Sequence, residues 1–347
     1  MIFVNTRVLS SHTTGVQRYI DSILKQLPDS YMNEVGFFNP NNLSGAKGHL
    51  WEQLVLPCKL NRDDVLWSPS NTGPIYCNAK HVVTMHDFAT LDYPEWTSKS
   101  FSTLYQFLLP RLAKRADAII AISEYTKSRI LYHTGIDEKK ISVIKNGVDD
   151  RFFIKTGRDF KSQIMPKYNI PSERYILSVS SIEPRKNISS LLRAWEKIQH
   201  QVDDDIWLVL VGRQNPKIFS NAGLNNIPER VCFTGFVDDE DLTTLYQNAL
   251  LFSYVSLYEG FGLPPLEAMA AGIPVLTSNT TSIPEVVGDK AIIVNPLSVS
   301  EIAENLLVLL GSDSLRNNLS LAGIEHAKQF SWKTTAEQTF NLLKSME

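Results

Sequence analysis

Two glutamates, Glu259 and Glu267, flank the turn Gly260-Phe261-Gly262-Leu263 with seven residues between them. Carboxylates placed this way suit sugar hydroxyls better than phosphates, because an ionised carboxylate only accepts hydrogen bonds. Gly260 and Gly262 let the backbone approach a ligand without interference from a Cβ atom. The loop then runs into a helix start near Leu263, where free N–H groups and the helix dipole suit phosphate or sugar oxygens. A short glycine motif alone leaves a second reading open, in which both glutamates are solvated helix-end charges. Arg185 and Lys186, in Ser181-Ile182-Glu183-Pro184-Arg185-Lys186-Asn187, form the other chemically suggestive pair. A guanidinium can fork two oxygens and an ammonium acts as a point charge, so together they can neutralise a diphosphate without a metal. A solvated basic turn is the competing reading. His86-Asp87 follows His81-Val82-Val83-Thr84-Met85, and Gly15 sits in Thr13-Thr14-Gly15-Val16-Gln17-Arg18 between a first strand and a helix. A lone histidine is more often structural than catalytic, and a glycine before a helix is common.

The elements that position these residues are legible as short apolar runs alternating with helical patterns, the mark of βα units and parallel sheets covered on both faces. Candidate strands in the first half are 2–5, 34–38, 64–67, 81–85, 118–122 and 141–144, and in the second half 175–180, 207–211, 231–233, 251–254, 274–277 and 291–294. Val16, Tyr19, Ile20, Ile23, Leu24 and Leu27 form one helical stripe. The fold class is therefore α/β, with two doubly wound Rossmann-like domains facing a central cleft and a C-terminal helical tail. The expected domains are 1–160, 161–330, and a helix over 331–347 that packs back on the first domain. Between Asp149 and Pro171 the apolar periodicity fades, and Pro166 and Pro171 read as part of a linker. Arg185 and Lys186, like His86, fall at the C-terminal ends of strands, where α/β sheets gather ligands.

The run from Glu259 to Val275 closely resembles the glutamate-x7-glutamate element of retaining GT-B glycosyltransferases, in particular glycosyltransferase family 4. The 183–187 segment matches that family's E-P-R-K-N loop residue for residue, and the resemblance extends through most of the chain. It implies a retaining, metal-independent transfer of a hexosyl group from a nucleotide-diphosphate sugar, with no cofactor. It places Arg185 and Lys186 on the donor diphosphate, Glu267 on the ribose, and Glu259 with Gly260, Phe261, Gly262 and Leu263 on the sugar. Gly15 is implied near the phosphates, His86 beside the reacting sugar, and Phe236 and Val237 near the base. Ser282-Ile283-Pro284-Glu285 also fits the family pattern, with packing as one possible role. The overall look is most similar to bacterial mannosyltransferases of surface-polysaccharide assembly, of the O-antigen or capsule type. That implies GDP-mannose as donor and a glycan or lipid-linked glycan as acceptor, with a UDP-sugar as the alternative. A nucleotide-sugar epimerase, a phosphorylase and a catalytically silent binder fit the same architecture less well, since no lysine lies in a cofactor-anchoring motif and no expected polar position is missing.

Composition narrows the partners. Thirty-four Lys and Arg against 37 Asp and Glu give a formal charge of −3, so no bulk charge draws the chain to nucleic acid. Cys58, Cys77 and Cys232 are odd in number and far apart, which fits a reducing compartment rather than a disulfide framework. With no signal-peptide pattern and no window of 18 apolar residues, a cytoplasmic protein is expected. Peripheral association with the inner membrane or with partner transferases is left open by the segment from Phe101 to Arg115, although Pro110 argues against a single helix there and ordinary packing is the favoured reading. Asp203-Asp204-Asp205 contains a D-x-D pattern, but it precedes a strand and so lies at the wrong sheet edge for a diphosphate-bound metal.

Overall fold

The computed structural model describes residues 1–10, 15–27, 34–40, 43, 45–181, 183–212 and 227–347. Thr13, Thr14 and Ile182, singled out above, lie outside the described residues. The chain forms two compact units, one of Met1–Gly147 with Ser331–Glu347 and one of Val148–Phe330. Residues 148–160, assigned above to the first domain, therefore pack within the second.

The first unit is built on six parallel strands, β1 (Ile2–Asn5), β2 (Val35–Phe38), β3 (Val65–Ser68), β4 (Lys80–Met85), β5 (Ala118–Ala121) and β6 (Ile141–Val143). Their order is β2-β1-β3-β4-β5-β6, so the direction of winding reverses between β1 and β3. Tyr19, Ile20 and Ile23 of the helix Gly15–Lys25 are fully buried, as the helical stripe requires. The helix Trp332–Ser345 belongs to this unit: Trp332 meets Tyr19 edge-on with ring centroids 6.0 Å apart, and Phe340 meets Trp67 at 6.1 Å. Gly147 makes room for this return, since a Cβ there would lie 2.1 Å from the Trp332 backbone nitrogen. The helix Lys99–Arg115 runs unbroken through Pro110, contrary to the expectation of an interruption. Leu108, Leu109, Leu112 and Ala113 on either side of the proline are buried, and this packing outweighs the lost backbone hydrogen bond.

The second unit repeats the plan with β7 (Arg174–Val179), β8 (Ile206–Val211), β9 (Val231–Gly235), β10 (Leu251–Tyr254), β11 (Val275–Ser278) and β12 (Ile292–Val294). The order β12-β11-β10-β7-β8-β9 is that of a dinucleotide-binding sheet, with its switch point between β7 and β10. Its core joins Ile176, Leu208 and Leu251 from the sheet to Leu191, Trp195, Ile302 and Leu306 from the covering helices. All twelve strands match the apolar runs in the sequence, with ends shifted by no more than two residues.

The segment read as a linker is instead packed structure. Phe152, Phe160, Ile164 and Tyr168 are buried, in a 3-10 turn (Asp150–Phe153), a π turn (Phe160–Ile164) and a short helix (Met165–Tyr168), and Ile170 just after that helix is buried as well. Pro166 opens that helix, where a missing N–H costs nothing, so its presence did not mean a break. Lys167 and Tyr168 then bind the buried Asp241 carboxylate at 2.6 and 2.7 Å. Among the described residues, no helix is long and apolar enough to cross a membrane.

Candidate functional site

The turn after β7 and the loop after β10 meet at the switch point of the second sheet. Arg185 and Lys186 lie in a single 3-10 turn, Pro184–Lys186, that ends on Asn187 in the left-handed region at φ 56°. Asparagine tolerates that conformation. Its side-chain amide also donates to the carbonyls of Val255 at 3.0 Å and Pro296 at 2.8 Å, tying the basic turn to the end of β10. The Leu257 N–H adds a 2.7 Å bond to the Arg185 carbonyl. The backbone thereby fixes the two cations before any ligand arrives.

Their side chains converge on Glu259. The Lys186 ammonium donates to Glu259 Oε1 at 2.6 Å, with both side chains only 9% exposed, and Arg185 Nη1 lies 3.3 Å from Oε2. Tyr254 and Ser256 donate to the same Oε1 at 2.8 and 2.6 Å, and Lys186 also reaches the Tyr254 oxygen at 2.6 Å. Burial pushes the Glu259 carboxyl up, but Lys186 and Arg185 more than offset this and hold it at about 2. Burial pulls the Lys186 ammonium below the ordinary lysine value, and Glu259 opposes that pull. Burial, reinforced by the Glu259 charge, raises the Tyr254 hydroxyl well above its usual range, so it stays a donor. Glu259 is thus a countercharge to two cations as well as a candidate sugar contact. Tyr254 and Ser256 escaped the sequence reading because both look like ordinary strand-end residues.

After Glu259 the chain passes through Gly260, Phe261 and Gly262 into the helix Leu263–Ala270. Gly262 has φ 112°, a conformation that demands glycine, and a Cβ there would also come within 2.6 Å of Ile283 Cδ1 and push that side-chain tip aside. Pro264 and Pro265 follow at once and carry no N–H. Leu263 is therefore the only donor among the first three helical residues, and the expected anion-binding helix start is narrower than the motif suggested. Glu267 is 8% exposed and accepts the Tyr246 hydroxyl at 3.1 Å, which fixes its orientation. Phe236, at the end of β9, is 77% exposed, while its neighbour Val237 is buried.

Gly15 and His86 belong to the first unit. Gly15 opens the helix Gly15–Lys25, and among the described residues outside its own helix and its chain neighbours no atom lies within 4 Å of where a Cβ would stand. His86 is buried against the edge of Tyr19, and its Nε2 donates to the Pro69 carbonyl at 2.9 Å. Burial lowers its pKa, with that carbonyl and Asp87 opposing, so the ring is held neutral with Nε2 occupied. At the β1/β3 switch point sits a polar group the sequence did not flag: Glu52 accepts from Asn5 at 2.7 Å and Thr72 at 3.1 Å and pairs with Arg7 at 3.2 Å. Asp203 and Asp205 both meet Arg174 at 2.8 Å beside the start of β8, and no cluster able to hold a metal ion is present among the described residues.

A sheet pair with its cationic turn at a switch point defines a two-domain enzyme of the GT-B type. Comparison with known proteins makes the assignment specific. The family model described as "Glycosyl transferases group 1" matches residues 160–326, and "Glycosyltransferase Family 4" matches residues 53–152. The chain is 33% identical over 269 residues to O-antigen chain mannosyltransferase B of Escherichia coli, covering 76% of this chain and 70% of that protein. It is 34% identical over 241 residues to the serotype-specific mannosyltransferase WbdA of Escherichia coli, covering 67% of this chain but 29% of that longer protein. The fold matches the Anabaena protein HepE in complex with UDP-glucose at a TM-score of 0.76 and 19% identity, over 99% of both chains. It also matches WaaG, a glycosyltransferase involved in lipopolysaccharide biosynthesis, at a TM-score of 0.75 and 16% identity, again over 99% of both chains. The chain belongs to glycosyltransferase family 4 and is a glycosyltransferase with the GT-B fold.

Proposed function

We propose that this enzyme transfers a mannosyl residue from GDP-mannose to a glycan or lipid-linked glycan in surface-polysaccharide assembly, retaining the anomeric configuration. The observation that carries this reading is the pairing of Arg185 and Lys186 on Glu259 at the β7/β10 switch point. Two cations held there by a buried carboxylate form a preorganised seat for a diphosphate. As the glycosidic C–O bond breaks, negative charge builds on the departing phosphate oxygen, and cations already in place stabilise it more than they stabilise the bound donor. The acceptor hydroxyl attacks on the face the nucleotide leaves and passes its proton to the departing phosphate. No enzyme nucleophile and no metal is needed, because the charge that a divalent ion would neutralise meets Arg185 and Lys186 instead. Glu267 takes the ribose hydroxyls, the Gly260–Leu263 backbone and Glu259 take the sugar, and Phe236 and Val237 border the base.

The choice of mannose rests on the mannosyltransferases among the relatives, and the choice of GDP follows from it. Donor identity is tested by incubating the enzyme with GDP-mannose, UDP-glucose and other nucleotide sugars and measuring nucleoside-diphosphate release, with and without excess chelator. Release from GDP-mannose that survives the chelator is the expected result. Release only from a UDP-sugar would overturn the donor assignment, and loss of all release in chelator would overturn metal independence. NMR of the product reports whether the anomeric configuration is retained.

A further inference from the structure

Four non-glycine residues among those described have positive φ, and Thr281, at φ 57°, is the only one branched at Cβ. A β-branched side chain in the left-handed region is strained, and such strain persists only where surrounding contacts enforce it. Here those contacts all point one way. Thr281 Oγ1 accepts the Glu259 N–H at 3.1 Å. The Ser282 hydroxyl, fully buried, lies 2.9 Å from both the Glu259 and Phe261 carbonyls, and Thr280 donates to the Ser256 carbonyl at 3.2 Å. Ile283 then presses into the space left by the missing Gly262 Cβ. Four consecutive residues from the turn after β11 thus grip the loop that carries Glu259, and they hold both the N–H and the C=O of Glu259 itself. That loop lies between β10 and the helix Leu263–Ala270, outside both regular elements.

We infer that Thr281 is a positioning residue for glycosyl transfer: its strained backbone, with Ser282 beside it, sets where the Glu259–Leu263 loop stands relative to Arg185 and Lys186. The inference rests on the diphosphate-seat reading given above. Glycine at this position would relax the backbone but lose the acceptor that holds the Glu259 N–H. Serine would keep that acceptor and remove the β-branch. A residue kept only for stability would not be one whose conformation glycine adopts more readily.

The test compares Thr281→Gly, Thr281→Ser and Lys186→Met in the full chain, measuring Tm together with kcat and donor KM by nucleoside-diphosphate release. We expect Thr281→Gly to melt no lower than the parent while its kcat falls by about tenfold or more, as a displaced site demands. Donor KM should change far less than kcat, and Thr281→Ser should recover most of the lost rate. A Thr281→Gly enzyme of parental kcat overturns the inference. So does one that loses Tm and kcat together or fails to fold, since the turn is then merely structural, and so does a serine variant as slow as the glycine one. Lys186→Met separates the two readings: if it is inactive while Thr281→Gly is fully active, the positioning role alone falls, whereas a Lys186→Met enzyme of parental rate removes the diphosphate seat and this inference with it.

Discussion

Replacing Lys186 by methionine tests the energetics of the site directly, because its ammonium contributes most to holding Glu259 ionised against burial. The Glu259 carboxyl drops from 4.5 to about 2 on folding. A carboxyl held that far below its ordinary value favours the folded, ionised form by an amount on the order of a few kcal/mol. Methionine fills similar space but leaves a buried carboxylate facing only Arg185, Tyr254 and Ser256. Breaking a buried pair costs about 3–5 kcal/mol when nothing replaces the lost partner. Arg185 remains within 3.3 Å, so a loss of about 2–3 kcal/mol is expected. For a domain of this size that is a fall in Tm of roughly 4–12 °C.

The pH dependence carries a definite sign. A carboxyl depressed in the folded state contributes stability that is fully present above its ordinary value of 4.5 and is lost as pH falls toward about 2. The Tm gap between parent and Lys186→Met should therefore be widest near neutrality and close on acidification through that window. Glu259→Gln added to Lys186→Met removes the stranded charge and should restore part of the stability without restoring activity, since the proposed diphosphate seat is still missing a cation. Turnover of the single variant should fall by about 10²- to 10³-fold. Thermal melts between pH 3 and 7, read beside nucleoside-diphosphate release, provide the check. A Lys186→Met protein melting within about 1 °C of the parent at pH 7, or turning over at the parental rate, would refute the reasoning.

Three further outcomes follow. If GDP is the nucleotide, as proposed, Glu267→Ala should weaken its binding by about tenfold, and Tyr246→Phe by less, because Tyr246 aims the carboxylate; titration calorimetry showing equal affinities in all three proteins would remove Glu267 from the proposed donor set. Burial lowers the His81 imidazole to about 4, with Glu52 and Asp117 opposing, so its share of stability is complete above 6.5 and fades as pH falls toward 4. His81→Gln should flatten the acid limb of the Tm profile across that interval, and an unchanged slope would show that the ring is not the titrating group. Phe152→Ala should destabilise the second unit by about 3–4 kcal/mol, since the ring is 1% exposed and packs edge-on to Tyr246 with centroids 5.5 Å apart; a melt identical to the parent's would restore the reading of this segment as a free tether.

What the sequence made legible was whatever is local along the chain. A central strand such as Ile206–Val211 declares itself because a parallel strand covered on both faces needs an unbroken apolar run, and Arg185 with Lys186 stands out because both lie in one turn. Tyr254 was invisible as a site residue for the opposite reason. Its value comes from meeting a lysine 68 positions earlier, and in sequence it is simply the last aromatic of a strand. The same limit hid the stripe Phe160, Ile164 and Tyr168, whose helical spacing is interrupted by a proline that a first turn accepts without cost. The strain at Thr281 is a third case, because no propensity scale assigns a left-handed threonine, and only the bond it makes to Glu259 gives that conformation a reason. The residue types of the candidate site could therefore be picked out along the chain, but the arrangement that joins them could not: the carboxylate, phenol and hydroxyl that surround the two cations come from segments that only the crossing at the β7/β10 switch point brings together.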